Sequence, residues 1–154
     1  MRVLLAGLAL AALCPRAAAQ SPQAEVLAVV QRLFDAMRAG DSAMARSVFE
    51  PNARLVATGI REGQPYVRVT PADEFVAAVG RPRDVVWDER IWDAQVRIDG
   101  NLASVWTQYA FYVGERFSHC GVDAFHLVRR AEGWKIMDLA DTRRQEACDV
   151  PPSR

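Results

Sequence analysis

The sequence predicts an α+β domain, three N-terminal helices followed by a run of long antiparallel strands. Three observations carry that prediction. Apolar residues recur at three- and four-residue spacing through much of the first eighty residues, two-residue alternation dominates after Val85, and turn signals separate the segments. Helices first and a meander afterwards is the order of an α+β fold.

The first segment, SPQAEVLAVVQRLFDAMRAGD, places Val26, Val29, Val30, Leu33, Phe34 and Met37 on one stripe. Ser21 suits the N-cap, Pro22 the first helical position and Gly40 the stop. Asp41 then caps a second short helix through Met44, Val48 and Phe49, ended before Pro51. In RLVATGIREGQPYVRVT two alternating runs flank Glu62-Gly63, a hairpin signal. The third helix starts at Thr70-Pro71-Ala72-Asp73, with Thr70 as cap and Asp73 bonding back, carries Phe75, Val76 and Val79, and ends at Gly80. Strands follow over Val85–Asp99, Leu102–Val113, Phe117–Arg130 and Trp134–Ala140, the second and third joined by a Gly114-Glu115 turn. The tail DTRRQEACDVPPSR is expected to hold one helical turn capped by Asp141 and then to fray over 150–154.

The N-terminus, MRVLLAGLALAALCPRAAAQ, has Arg2, an apolar run from Val3 to Leu13 and the small triplet Ala17-Ala18-Ala19. These are the parts of a signal peptide over 1–19, cut after Ala19, leaving a single domain over 20–149. The apolar run is too short for a permanent membrane span. Removing it leaves 17 basic against 19 acidic residues, with no basic excess to recruit nucleic acid. It also removes Cys14, so Cys120 and Cys148 are the cysteines of the mature chain and are expected to form a disulfide in an oxidising, periplasmic or extracellular compartment. Closing that 28-residue separation is worth roughly 3–4 kcal/mol on a chain-entropy argument. Eighteen arginines against one lysine is the residue usage of a GC-rich bacterial genome.

The order of helical hairpin, short strand pair, third helix and long strands ending in GWKIMDL resembles the nuclear transport factor 2-like superfamily. Its members include SnoaL-like polyketide cyclases, ketosteroid isomerase and scytalone dehydratase. The run FSHCGVDAFHLVRRAEGWKIMDLADTRR looks like the C-terminal signature of a lumazine-binding-like branch. The resemblance spans about Ala24 to Cys148 and implies a strongly curved sheet closing on the helices as a cone with a pocket, commonly in a homodimer. It does not imply one activity, since the fold hosts enzymes, carriers and dimerisation modules. The ketosteroid isomerase mechanism does not carry over by residue: Asp35 lies between Arg32 and Arg38 on the first helix. A dehydratase-like histidine pair is not offered by His119 and His126, which have opposite parity on one strand.

The stretch FSHCGVDAF gathers His119, Cys120 and Asp123. On a strand, Cys120 points away from His119, while His119 and Asp123 share a face about 13 Å apart, too far for one metal ion. No metal and no cofactor is expected. With Val113 opposite Arg116, His119 opposes Ala110, Asp123 opposes Trp106 and Phe125 opposes Ser104. One face then carries Trp106, Gln108, Tyr112, His119, Asp123 and Phe125, a mixture of aromatic and polar groups suited to a pocket. A loop longer by one residue exchanges the faces. Asp123, a carboxyl among aromatics, and His119 are the candidate acid/base residues, with a satisfied structural role as the alternative for each.

The functional expectation is therefore a secreted domain binding a small, partly apolar molecule, without established chemistry. The alternatives are a cofactor-free isomerase, dehydratase or hydrolase using Asp123 and His119, and a structural or partner-binding homodimer.

Overall fold

A computed structural model describes residues 20–151. The expected signal peptide, with Cys14, lies outside the described residues, as does most of the tail expected to fray. Helix α1 (Pro22–Ala39) starts as its sequence dictates: Ser21 Oγ accepts the Ala24 N–H at 3.2 Å, Pro22 sits in the first turn and Gly40 ends it. Asp41 caps α2 (Ser42–Val48) by accepting the Met44 N–H at 2.9 Å. Strand β1 (Phe49–Arg61) begins at once, so Phe49 is strand and not the last helical residue.

The hairpin at Glu62-Gly63 leads into β2 (Gln64–Pro71) and then α3 (Ala72–Val79). Here the expected capping fails. Thr70 stays in β2 opposite Leu55, Pro71 occupies the cap position without a side-chain bond, and Asp73 pairs with Arg46 of α2. Strands β3 (Trp87–Asp99), β4 (Leu102–Val113), β5 (Arg116–Arg130) and β6 (Gly133–Arg143) complete the chain.

The six strands form one sheet in the order β2-β1-β6-β5-β4-β3. Every neighbouring pair is antiparallel except β1 with β6, which is parallel, Leu55 lying beside Leu139 and Ala57 beside Asp141. The sheet is thus mixed, where an antiparallel one was expected. That parallel pairing also carries β6 three residues past Ala140, so Asp141 is a strand residue and not a helix cap.

Three helices pack on one, concave face of this sheet. Val26, Val30 and Leu33 of α1 meet Val105, Phe125, Leu127 and Ile136, and Phe34 stands edge-on to Phe125 with ring centroids 6.2 Å apart. On the convex face the Cys120–Cys148 disulfide is present, and Arg144 pairs with Cys120 through two backbone bonds of 2.9 and 3.0 Å. No helix among the described residues is long and apolar enough to cross a membrane.

Candidate functional site

A single extra residue decides which side chains share a face. Leaving the Gly114-Glu115 turn, Val113 opposes Arg116 and Tyr112 opposes Phe117. Ser118 then bulges, and from there Phe111 opposes His119, Ala110 opposes Cys120, Thr107 opposes Asp123 and Val105 opposes Phe125. A bulge of this kind shifts every later pairing by one, which exchanges the faces of the partner strand. The expected register, with His119 against Ala110 and Asp123 against Trp106, is therefore corrected.

The correction divides the expected pocket residues. His119, Asp123 and Phe125 lie on the concave face; Trp106, Gln108 and Tyr112 lie on the convex one. Trp106 is 55% exposed, and Tyr112 packs edge-on to Phe117 beneath the Arg90 guanidinium. In their place the concave face receives Thr107, Tyr109 and Phe111. Phe125 is wholly buried against Phe34 in the core and is not one of the residues lining the chamber or the cleft.

Between this face and α1 is a chamber of about 50 Å³, lined by Leu33, Phe34 and Met37 from α1, Tyr109 from β4, Asp123 from β5 and Leu139 from β6. Glu89, His119, Asp141 and Arg143 border both the chamber and a wider cleft of about 350 Å³. Phe75 and Ala78 of α3, Trp87 of β3 and Phe111 of β4 supply much of the apolar surface of the cleft. The site is an aromatic-walled funnel narrowing onto ionisable groups.

At its inner end Asp123 is 1% exposed, and its Oδ2 has no hydrogen-bond partner. A buried carboxylate oxygen left unpaired is costly in a native structure, which favours a protonated group or one awaiting a ligand. Burial, then the Glu89 charge and the interaction with its carboxyl, push Asp123 well above the usual carboxylate range, with Asp141 adding to the rise. Burial likewise raises Glu89 to about 7, although its interaction with Asp123 pulls the other way. Two facing carboxyls titrate as a pair, so they retain a shared proton near neutrality.

The surrounding groups are arranged in the opposite sense. Asp141 receives two hydrogen bonds from Arg143, of 2.6 and 3.1 Å, in a fork-like pair. Burial works against the Arg143 charge, but those bonds and the Asp141 charge prevail and hold it above its ordinary value. Burial, then the Arg143 charge, lower His119 to about 4 against the pull of Asp141, so the imidazole is neutral at pH 7. Its Nδ1 lies 3.0 Å from Ser118 Oγ, the bulged residue, and its ring packs edge-on to Tyr109. Burial and the Asp141, Asp123 and Glu89 charges push the Tyr109 phenol upward; it keeps its proton and donates to the Thr142 carbonyl at 2.9 Å.

That last contact depends on Gly121, which opposes Tyr109 on β5. A Cβ there would lie 1.8 Å from the Thr142 carbonyl oxygen, so only glycine lets β6 come this close. Among the described residues no group of three His, Cys, Asp or Glu side chains is disposed to hold a metal ion. Asp35 is outside the site, half-exposed on α1 and bonded to Gln31 and Arg38. Glu89, Tyr109 and the Asp141–Arg143 pair enter the site without having been singled out as its members by sequence. For Glu89 a signal exists: it shares strand parity with Trp87 and Ile91 and is the one charged side chain of that apolar row.

The family model described as "Putative lumazine-binding" matches residues 21–139. No curated protein matches the chain in sequence. Among solved structures, a protein of unknown function from Mycobacterium tuberculosis aligns with a TM-score of 0.65 at 12% identity, covering 84% of this chain and 76% of that one. An NTF2-like protein from Cytophaga hutchinsonii aligns with a TM-score of 0.65 at 12% identity over 81% of this chain and 100% of its own. A protein described as a "putative ketosteroid isomerase", from Shewanella frigidimarina, aligns with a TM-score of 0.56 at 18% identity, over 76% and 94%. At these identities the likeness shows the fold, the nuclear transport factor 2-like cone, and leaves the chemistry to the site.

Proposed function

We propose that this chain, which belongs to the family described as "Putative lumazine-binding", binds a small, partly apolar molecule in the funnel, with its polar edge against Asp123 and Glu89. The carrying observation is the unpartnered Oδ2 of Asp123 at the closed end of an aromatic-lined cavity. A carboxyl pair sharing one proton offers one donor beside several acceptors. That pattern complements an amide-like or heteroaromatic edge, while Phe75, Trp87 and Phe111 take the apolar body. The test is calorimetric titration with lumazine and related heteroaromatics, comparing wild type with Ala78→Phe, which fills the cleft from α3. Binding lost in the filled variant supports the reading; equal binding by both proteins contradicts it.

The same pair supports a second reading, proton transfer on the bound molecule. A carboxyl raised toward neutrality beside a neutral histidine suits general acid–base chemistry carried by side chains alone. In this reading Asp123 exchanges the proton and His119 is the second candidate. Turnover present in wild type and lost in Asp123→Asn with ligand affinity retained supports chemistry; affinity without turnover in either form leaves binding as the function.

Export to the periplasm or beyond, with a leader cut after Ala19, is part of this proposal; the Cys120–Cys148 bond is consistent with an oxidising compartment. So is pairing of two copies through the convex face, supported by the exposed Trp106 and Val69.

A further inference from the structure

A second concavity lies behind the site, and the two share a wall. It is a groove of about 1000 Å³ between the β1–β2 hairpin and the disulfide-held tail. His119 and Arg143 border this groove as well as the chamber and the cleft, so the two spaces meet at these two side chains. Gly59 lets the Tyr66 ring and the β6 backbone pack tightly at the edge of the groove, since a Cβ there would lie 2.9 Å from that ring and 3.0 Å from the Arg143 carbonyl oxygen.

The charges on the two sides of that wall are opposite. Inward are Glu89, Asp123 and Asp141. Outward, Arg61, Arg143 and Arg144 face a single carboxylate residue, Glu146. Arg143 is committed to Asp141, but among the described residues neither Arg61 nor Arg144 has a carboxylate within ion-pair distance. Both are nonetheless held in place: Arg61 lies over the Tyr66 ring, 5.2 Å from its centroid, and Arg144 Nε donates to the Ala147 carbonyl at 3.3 Å. A guanidinium has five N–H donors, so each keeps donors to offer. Beside them Ile60 and Val67 are 74% and 70% exposed.

We propose that the groove is a second subsite of the same ligand and holds its anionic group, a carboxylate or phosphate, on Arg61 and Arg144. The ligand is an elongated amphiphile whose neutral, hydrogen-bonding end enters the chamber. Its polarity is fixed by the charges: an anion turned inward would meet three carboxyl groups, and turned outward it meets unpaired arginines. The inference rests on the funnel being a binding site.

The test uses three probes of equal length: 10-hydroxydecanoate, 10-hydroxydecyl phosphate and 1,10-decanediol. Calorimetry is run on wild type, Ala78→Phe and the double variant Arg61→Ala/Arg144→Ala. At low salt the anionic probes are expected to bind about tenfold more tightly than the diol, the effect of two exposed ion pairs. The double variant should erase that advantage and leave the diol unchanged, and added salt should do the same to wild type. Whichever anion loses more affinity in the double variant identifies the head group. Equal binding of all three probes, insensitive to the arginines but lost in Ala78→Phe, overturns the second subsite and leaves the funnel standing. Binding of no probe, or binding that survives Ala78→Phe, overturns the second subsite, while the funnel itself is judged by the lumazine titration.

Discussion

On the concave side of β4 and β5, Thr107, Tyr109 and Asp123 are almost wholly withdrawn from water, whereas on the convex side of the same strands Trp106 is 55% exposed. The usual preference runs the other way, since carboxylates seek solvent and tryptophan seeks the interior. The inversion separates two kinds of work. Inside, burial retunes ionisable groups at the end of the funnel; outside, a large apolar side chain is left against solvent. One bulged residue, Ser118, sets which side chains go where.

The largest expected effect comes from closing the gap that brings the two faces into one ribbon. Gly121→Ala would place a methyl group against the Thr142 backbone, which cannot rotate away, so a loss of about 3 kcal/mol or more is expected in urea unfolding. Wild-type stability in that variant would mean β6 does not approach β5 as closely as described. Next comes the convex-side staple. Cys148→Ser removes a bond closing 28 residues and should cost roughly 3 kcal/mol, while leaving the buried concave face able to form.

The concave face should announce itself through pH. Glu89 has a folded pKa raised from 4.5 to about 7, so between those values the folded state holds a proton that the unfolded chain has lost. Its contribution is whole below about pH 4.5 and falls away as pH rises from there through about 7, by about 3 kcal/mol. His119 acts in the opposite sense. Its folded pKa is lowered from 6.5 to about 4, so stability is lost as pH falls through that window. Between about pH 4.5 and 6.5 the two slopes oppose one another, so Glu89→Gln should leave stability rising with pH in that window and His119→Asn should leave it falling. Chemical unfolding across pH 4–8 measures both. The smallest effect belongs to Trp106→Ser: within about 0.5 kcal/mol of wild type in unfolding of the monomer, yet weaker self-association by sedimentation if the convex face joins two copies.

Local chemistry made most of the fold legible. Ser21 and Asp41 cap their helices because small acceptor side chains precede apolar stripes, and the strand turns fall at glycines. What was not legible depends on partners distant in sequence. Asp141 precedes a polar tail and looks like a helix cap; only β1, lying parallel beside it, continues the strand through Arg143. Ser118 carries no mark of a bulge, so an unbroken register puts Trp106, Gln108 and Tyr112 on the face of His119 and Asp123, whereas the bulge sends them to the other face and Phe125 packs into the core. Glu89 sits between Asp88 and Arg90 and resembles a solvated charge run; its parity with Trp87 was the available clue.

The protonation of the Glu89–Asp123 pair tests the central claim most directly. Carbon-13 NMR of side-chain carboxyls, followed through pH 4–9 in wild type, Glu89→Gln and Asp123→Asn, isolates the two signals. The expected result is a coupled pair with one transition near 7, a proton retained beyond it, and simplification to a single titration in either variant. Two independent carboxylates, both ionised by pH 5, would contradict a buried proton-sharing pair at the closed end of the funnel.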